Sequence, residues 1–159
     1  MRFLGTPTDR LAGVVPNVVR LIVGAIMIAH GLQKLNEGIP KFATITLVPL
    51  GIPYADVMGY VVTFTELIGG ALLIVGLLSR LAALALLVEL ATTTTLVKSH
   101  VGLIAPPGRG AGAELDLALL AGFLTVLLAG PGRASLDYLL GVERRGRRDG
   151  PAGTSPVAR

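Results

Sequence analysis

Four stretches of the chain are apolar for long enough to approach the ~20 residues a membrane-crossing helix needs, and polar residues interrupt them at few places. The first runs from about Val14 to Leu35, with Arg20 near its start, His30, Gln33 and Lys34 near its end, and Pro16 placed for a first turn. The second, Val57 to Leu78, holds one ionisable residue, Glu66, at its middle. Ser79 and Arg80 then predict a tight turn into a third helix, Leu81 to Val97, interrupted by Glu89 and the run Thr92, Thr93, Thr94, Thr95. The fourth, Leu115 to Ala129, is short unless Glu114 and Asp116 sit at the membrane interface, and it stops at Gly130-Pro131-Gly132. The pattern predicts an all-α fold, a four-transmembrane-helix bundle.

Between the first two helices, Pro40, Pro49 and Pro53 surround the apolar piece from Phe42 to Leu50, too short to span; it reads as an interfacial or re-entrant segment capping the bundle. Gly and Pro from Ser99 to Ala113 mark a loop. Three regions follow: a segment 1–13, a membrane domain 14–140 and a basic tail 141–159 read as disordered. Neither a tandem repeat nor a second domain is visible. Lys34, Glu37 and Lys41 stand where a small-residue cleavage site would follow a signal peptide, which argues against a cleaved leader.

Composition agrees with the pattern. Across 159 residues, 52% are hydrophobic and 15% charged, with mean hydropathy +0.73, where a soluble domain carries about 25% charged residues. A soluble enzyme is thereby disfavoured, and the absence of cysteine excludes thiolate chemistry and disulfides within this chain. The net charge of +4 is distributed by side. Arg2, Arg10, Arg20, Arg80, Arg133, Arg144, Arg145, Arg147, Arg148 and Arg159 fall on one side, and Lys34, Lys41, Lys98 and Arg109 on the other. The positive-inside rule then puts both termini in the cytoplasm of a multi-pass protein of the cell membrane, its basic tail facing anionic lipid rather than nucleic acid.

Ionisable residues at membrane depth cost at least about 2.5–3.5 kcal/mol each, so each calls for a partner. Taking Arg20, Arg80 and Arg133, with Asp137 beside them, as anchors at the inner interface, and a rise of about 1.5 Å per residue, His30 and Glu89 lie roughly 13–15 Å in and Lys34 and Glu66 about 21 Å in. His30 and Lys34, four residues apart, share a helix face. These four residues are the candidates for ligand binding or proton relay. Structurally, Lys34 would neutralise Glu66 and His30 would bond Glu89; functionally, the same cluster could meet a quinone headgroup, another small ligand or a proton. Glu114 and Asp116, at about 25–28 Å, and His100, at about 30 Å, are candidates for the outer surface. That depth difference disfavours haem ligation by His30 and His100, and no metal-ligand spacing stands out. The threonines are expected to bond back within their helix, and Gly69, Gly70 and Gly76 to permit close helix approach.

Several pieces together resemble the DoxX family of small four-helix membrane proteins. They are Arg20-Leu-Ile-Val-Gly24, His30-Gly31-Leu32-Gln33-Lys34-Leu35, and Glu66-Leu-Ile-Gly69-Gly70 continuing through Gly76 to Ser79-Arg80-Leu-Ala-Ala. Lys98 to His100, Glu114, and Gly130-Pro131-Gly132-Arg133-Ala134-Ser135-Leu136-Asp137 complete the set, over about Val14 to Leu140. Ala134 departs from the pattern, standing where the closing motif is usually aromatic. The family includes subunits of thiosulfate:quinone oxidoreductases, so the resemblance implies a membrane subunit of a redox or sulfur-metabolism oxidoreductase assembly, with quinone as the candidate cofactor. In actinobacterial members the implied partners are superoxide dismutase and a sulfurtransferase, and a homo-oligomer is a further expectation. No self-sufficient active site is visible, so the chain is at most an oxidoreductase subunit. The alternatives are a non-catalytic scaffold and a protein handling small solutes or lipids.

Overall fold

In hydrocarbon every backbone N–H and C=O must find its partner inside the segment, so the apolar stretches fold as helix along their whole length. The computed structural model describes residues 8–98, 102–105 and 112–142, with side chains described from Val14 onward. The elements in chain order are α1 (Thr8–Glu37), α2 (Ile39–Phe42) running into a π-helical segment (Ala43–Leu47), α3 (Ala55–Val75), α4 (Ser79–Lys98), α5 (Glu114–Ala129) and α6 (Leu136–Leu139). Among the described residues there is no strand. Three helices are long and apolar enough to cross a membrane: Val14–Glu37, Ala55–Val75 and Ser79–Lys98, with mean hydropathies of 1.7, 1.8 and 1.6. The 16 residues of α5 reach about 24 Å.

Helix α1 packs against α3 and α5, and α4 packs against the same two, which closes a ring of four. The interior is filled by Val23 and Met27 of α1, Leu73 of α3, Ala82, Ala83 and Leu86 of α4, and Leu119, Phe123 and Val126 of α5. Outward faces are apolar as well: Ile22, Ile68, Leu81, Val88 and Leu128 are all exposed, the distribution expected where the solvent is lipid. Helices α1 and α3 approach each other backbone to backbone. A Cβ added at Gly24 would come 2.8 Å from the Gly70 carbonyl oxygen, and one at Gly70 would come 2.7 Å from the Gly24 oxygen. Only glycine at both positions lets the backbones meet.

Two boundaries differ from the sequence reading. Pro16 lies inside α1 rather than in its first turn. The α3–α4 turn is Gly76 to Leu78, and Ser79 already belongs to α4. Gly76 adopts the left-handed conformation (φ 77°) and its N–H bonds the Leu72 carbonyl at 2.8 Å, a glycine stop that satisfies one end of α3. The segment after α1 is helical and lies over the start of α3: Ile39 and Ala43 press on Gly59, and Ala43 and Leu47 are buried with Ala55. This end of the bundle is the cap end; the other, which holds Gly76–Leu78 and α6, is the turn end.

Candidate functional site

Towards the cap end each of the four long helices contributes polar side chains to the interior. Lys34 of α1 donates to both carboxylate oxygens of Glu66 on α3, at 2.6 and 2.7 Å. Glu66 is only 4% exposed, and the Lys34 ammonium sits 5.3 Å from the centroid of the Phe42 ring, so the segment after α1 helps to roof the pair. A second pair joins α4 to α5: Lys98 donates to Asp116 at 2.8 Å and to the Gly112 carbonyl at 2.9 Å. Thr94 donates to the other Asp116 oxygen at 2.9 Å. The threonine run bonds back along α4 as expected, Thr92 to Val88, Thr93 to Glu89 and Leu90, and Thr95 to Ala91.

His30 and Glu89 lie between the two pairs. The charges of Lys34, Asp116 and Lys98 act on His30, and those of Glu66, Lys34 and Asp116 on Glu89, so the six side chains form one electrostatic unit. The expected His30–Glu89 hydrogen bond is absent among the described residues. Glu89 Oε2 is buried without a partner. With a neutral imidazole, three carboxylates face two ammoniums, and one further proton would make the cluster neutral. The apolar layer around Leu73, Leu86, Phe123 and Val126, all 0% exposed, separates the cluster from the turn end.

The turn end holds a second polar knot. Arg20 donates to the Leu73 and Ile74 carbonyls at 2.6 Å each and to the Ala134 carbonyl. It thus serves carbonyls that the end of α3 leaves without helical partners. Asp137 accepts from the Leu78 and Ser79 N–H groups at 2.7 and 2.8 Å, which caps the positive end of α4. Each is 3% exposed, so neither reaches for headgroups as an interfacial anchor would. Arg80 and Arg133 are exposed, and Arg80 donates to the Leu127 carbonyl. Of the residues expected at the outer surface, Asp116 is buried in the cluster, Glu114 is exposed at the start of α5, and His100 lies outside the described residues. Among the described residues no group of three or more His, Asp or Glu side chains could hold a metal ion.

A helical protein with three membrane-crossing candidates and ionisable side chains buried between them is a membrane protein. The chain belongs to the DoxX family: the model of that family matches residues 15–99, more than half of the chain. It is 33% identical over 133 residues to the "Uncharacterized membrane protein Rv3486" of Mycobacterium tuberculosis (strain ATCC 25618 / H37Rv), covering 77% of this chain and 78% of that protein. It is 32% identical over 122 residues to the "Putative oxidoreductase CatD" of Bacillus subtilis (strain 168), covering 76% of this chain and 82% of that one. No solved structure matches the chain.

Proposed function

We propose that this chain is the integral membrane subunit of a quinone-linked oxidoreductase assembly, in which the cluster of His30, Lys34, Glu66 and Glu89 serves a quinone headgroup or the proton path to it. The observation that carries the reading is the incomplete cluster: with the neighbouring Lys98–Asp116 pair counted in, three carboxyls stand against two ammoniums, and Glu89 Oε2 lacks a partner. A quinone carbonyl needs a hydrogen-bond donor and, on reduction, a proton, and a group of this composition supplies both. With no cysteine in the chain, its own side chains offer no thiol redox couple, so in this reading the electrons come from a bound cofactor or a partner enzyme. The name of the Bacillus relative supports the oxidoreductase class. Superoxide dismutase and a sulfurtransferase are the partners to test first.

In this reading α5 is the fourth span, both termini lie in the cytoplasm of a cell-membrane protein, and the cap end faces outward. The buried apolar layer at Leu73, Leu86, Phe123 and Val126 argues against passage of a polar solute along the bundle axis. The scaffold alternative draws on a different observation, the doubly bonded and therefore self-sufficient Lys34–Glu66 pair. Reduction of a soluble quinone analogue, measured on the chain purified with its partners, separates the two. His30→Ala and Glu66→Gln variants that assemble normally should lose turnover, whereas full turnover in both would leave the cluster a structural clasp.

A further inference from the structure

The segment joining α1 to α3 covers one face of the cluster and is built as a piece of its own. Its hydrogen bonds run within it: the Phe42 N–H to the Gly38 carbonyl at 3.1 Å, the Thr44 hydroxyl to the Pro40 carbonyl at 2.9 Å, and the Val48 N–H across a π turn to the Ala43 carbonyl at 3.0 Å. Ala43 and Leu47 share a small apolar cluster with Ala55, separate from the one that fills the bundle. Left-handed backbone stands at both ends, Gly38 at φ 93° before the segment, Gly51 at φ 69° and the non-glycine Tyr54 at φ 53° after it. Strain of the kind Tyr54 carries collects where a segment changes position. Two contacts tie this piece to the long helices. Ile39 and Ala43 rest on Gly59 of α3. The Lys34 ammonium, bonded to both Glu66 oxygens, lies 5.3 Å from the centroid of the Phe42 ring, a cation held between a carboxylate and an aromatic face. Resting on the reading of this cluster as the working site, we infer that residues 38–54 are a hinged cover, latched by Phe42 on the Lys34 ammonium, whose opening admits water and its protons to the Lys34–Glu66 pair from the cap end.

The latch is of a kind that can let go. At the turn end, Arg20 and Asp137 fasten α3, α4 and α6 through charged bonds to backbone groups, and breaking those would strand buried polar atoms. A cation on a ring parts without leaving a hydrogen bond unmade, and Lys34 keeps both of its bonds to Glu66 when Phe42 moves away. The cover therefore opens without breaking the pair. Direction follows from what surrounds the cluster. The apolar layer at Leu73, Leu86, Phe123 and Val126 closes the bundle axis towards the turn end, which leaves the cap end as the way in for water. On that side the Lys34 side chain is 17% exposed against 6% for Glu66, so the ammonium is the member of the pair that meets water first.

The lysines themselves report on the cover. The chain has three, Lys34, Lys41 and Lys98; Lys41 is exposed on the cover, and Lys98, paired with Asp116 and 22% exposed, is a matched reference for Lys34. The full chain in nanodiscs is treated with a sulfonated succinimidyl ester, and the labelling rate of each lysine is read by mass spectrometry. Ala43→Cys with Gly59→Cys can lock the cover, since a Cβ at Gly59 would stand 3.3 Å from that of Ala43, close to the roughly 3.5–4.5 Å of a disulfide. Oxidation of this variant should slow labelling of Lys34 at least about tenfold, with Lys98 unchanged. Phe42→Leu should speed Lys34 about fivefold, the factor that ~1 kcal/mol of cation–π attraction represents, and Phe42→Tyr should keep the parent rate. Equal Lys34 rates before and after oxidation, or equal changes at Lys34 and Lys98, would overturn the inference. With the partners present, quinone-dependent turnover should fall on oxidation of the locked variant; full turnover with Lys34 shielded would also overturn it. If the lysine rates respond as stated but no quinone binds, the quinone-linked reading falls and the cover stands.

Discussion

Replacing Lys34 by Met leaves the Glu66 carboxylate buried without either of its two charge-assisted bonds, at 2.6 and 2.7 Å. With Glu66 only 4% exposed, water cannot replace the ammonium, and loss of one partner from a buried pair costs about 3–5 kcal/mol. The reverse change, Glu66→Gln, should cost less, about 1–3 kcal/mol. The Lys34 side chain is 17% exposed, keeps the Phe42 ring, and can extend its stem towards the cap end. The double variant removes both charges and should fall within about 1 kcal/mol of the parent. The two single losses therefore exceed the double loss by several kcal/mol, a coupling far above the ~0.5 kcal/mol tolerance of independent sites. Reversible unfolding in bicelles, followed by tryptophan-free circular dichroism or by steric trapping, measures all four corners of the cycle. Strictly additive losses, or a Glu66→Gln variant less stable than Lys34→Met, would refute the reasoning.

The remaining predictions concern packing, the turn end and orientation. Gly70→Val places a Cβ 2.7 Å from the Gly24 carbonyl oxygen, closer than the two atoms tolerate, so α1 and α3 must separate, at a cost of about 1–3 kcal/mol in the same unfolding assay. Asp137→Ala removes the acceptor of the Leu78 and Ser79 N–H bonds and leaves buried Arg20 without a nearby negative charge; a loss of about 1.5–3 kcal/mol is expected, with proteolysis enhanced at the α3–α4 turn. Single cysteines introduced at Gly108 and Gly150, both outside the described residues, should react differently with an impermeant maleimide on intact cells: Gly108→Cys labels and Gly150→Cys does not.

The helices and the Lys34–Glu66 pair were legible because both depend on quantities the sequence carries, apolar length and the distance of a charge from the helix end. Lys34 and Glu66 each stand 14 residues from an arginine near the turn end, Arg20 and Arg80. The same arithmetic places Lys98 and Asp116 together, about 27 and 26 Å in, but Asp116 reads as surface because it opens a helix. The partners of Arg20 are not legible for a different reason. Its partners are backbone carbonyls of residues 73, 74 and 134, and a carbonyl leaves no mark in the residue alphabet. Asp137 likewise reaches amides 58 and 59 residues away, so its capping role depends on the fold having brought α6 beneath the turn. The turn lies at Gly76 to Leu78 rather than at Ser79-Arg80, because Gly76 stops α3 through its left-handed φ, a backbone property that the polarity of Ser79 and Arg80 does not report.

The claim that this chain is a quinone-linked membrane subunit is tested most directly by gentle extraction of the native protein and mass spectrometry of the intact assembly, reading bound small molecules and proteins in one spectrum. The account predicts a stoichiometric quinone together with a redox enzyme, and loss of the quinone from an assembled Glu66→Gln variant. A chain recovered without quinone or enzyme, but able to change solute flux across vesicles by itself, would contradict it.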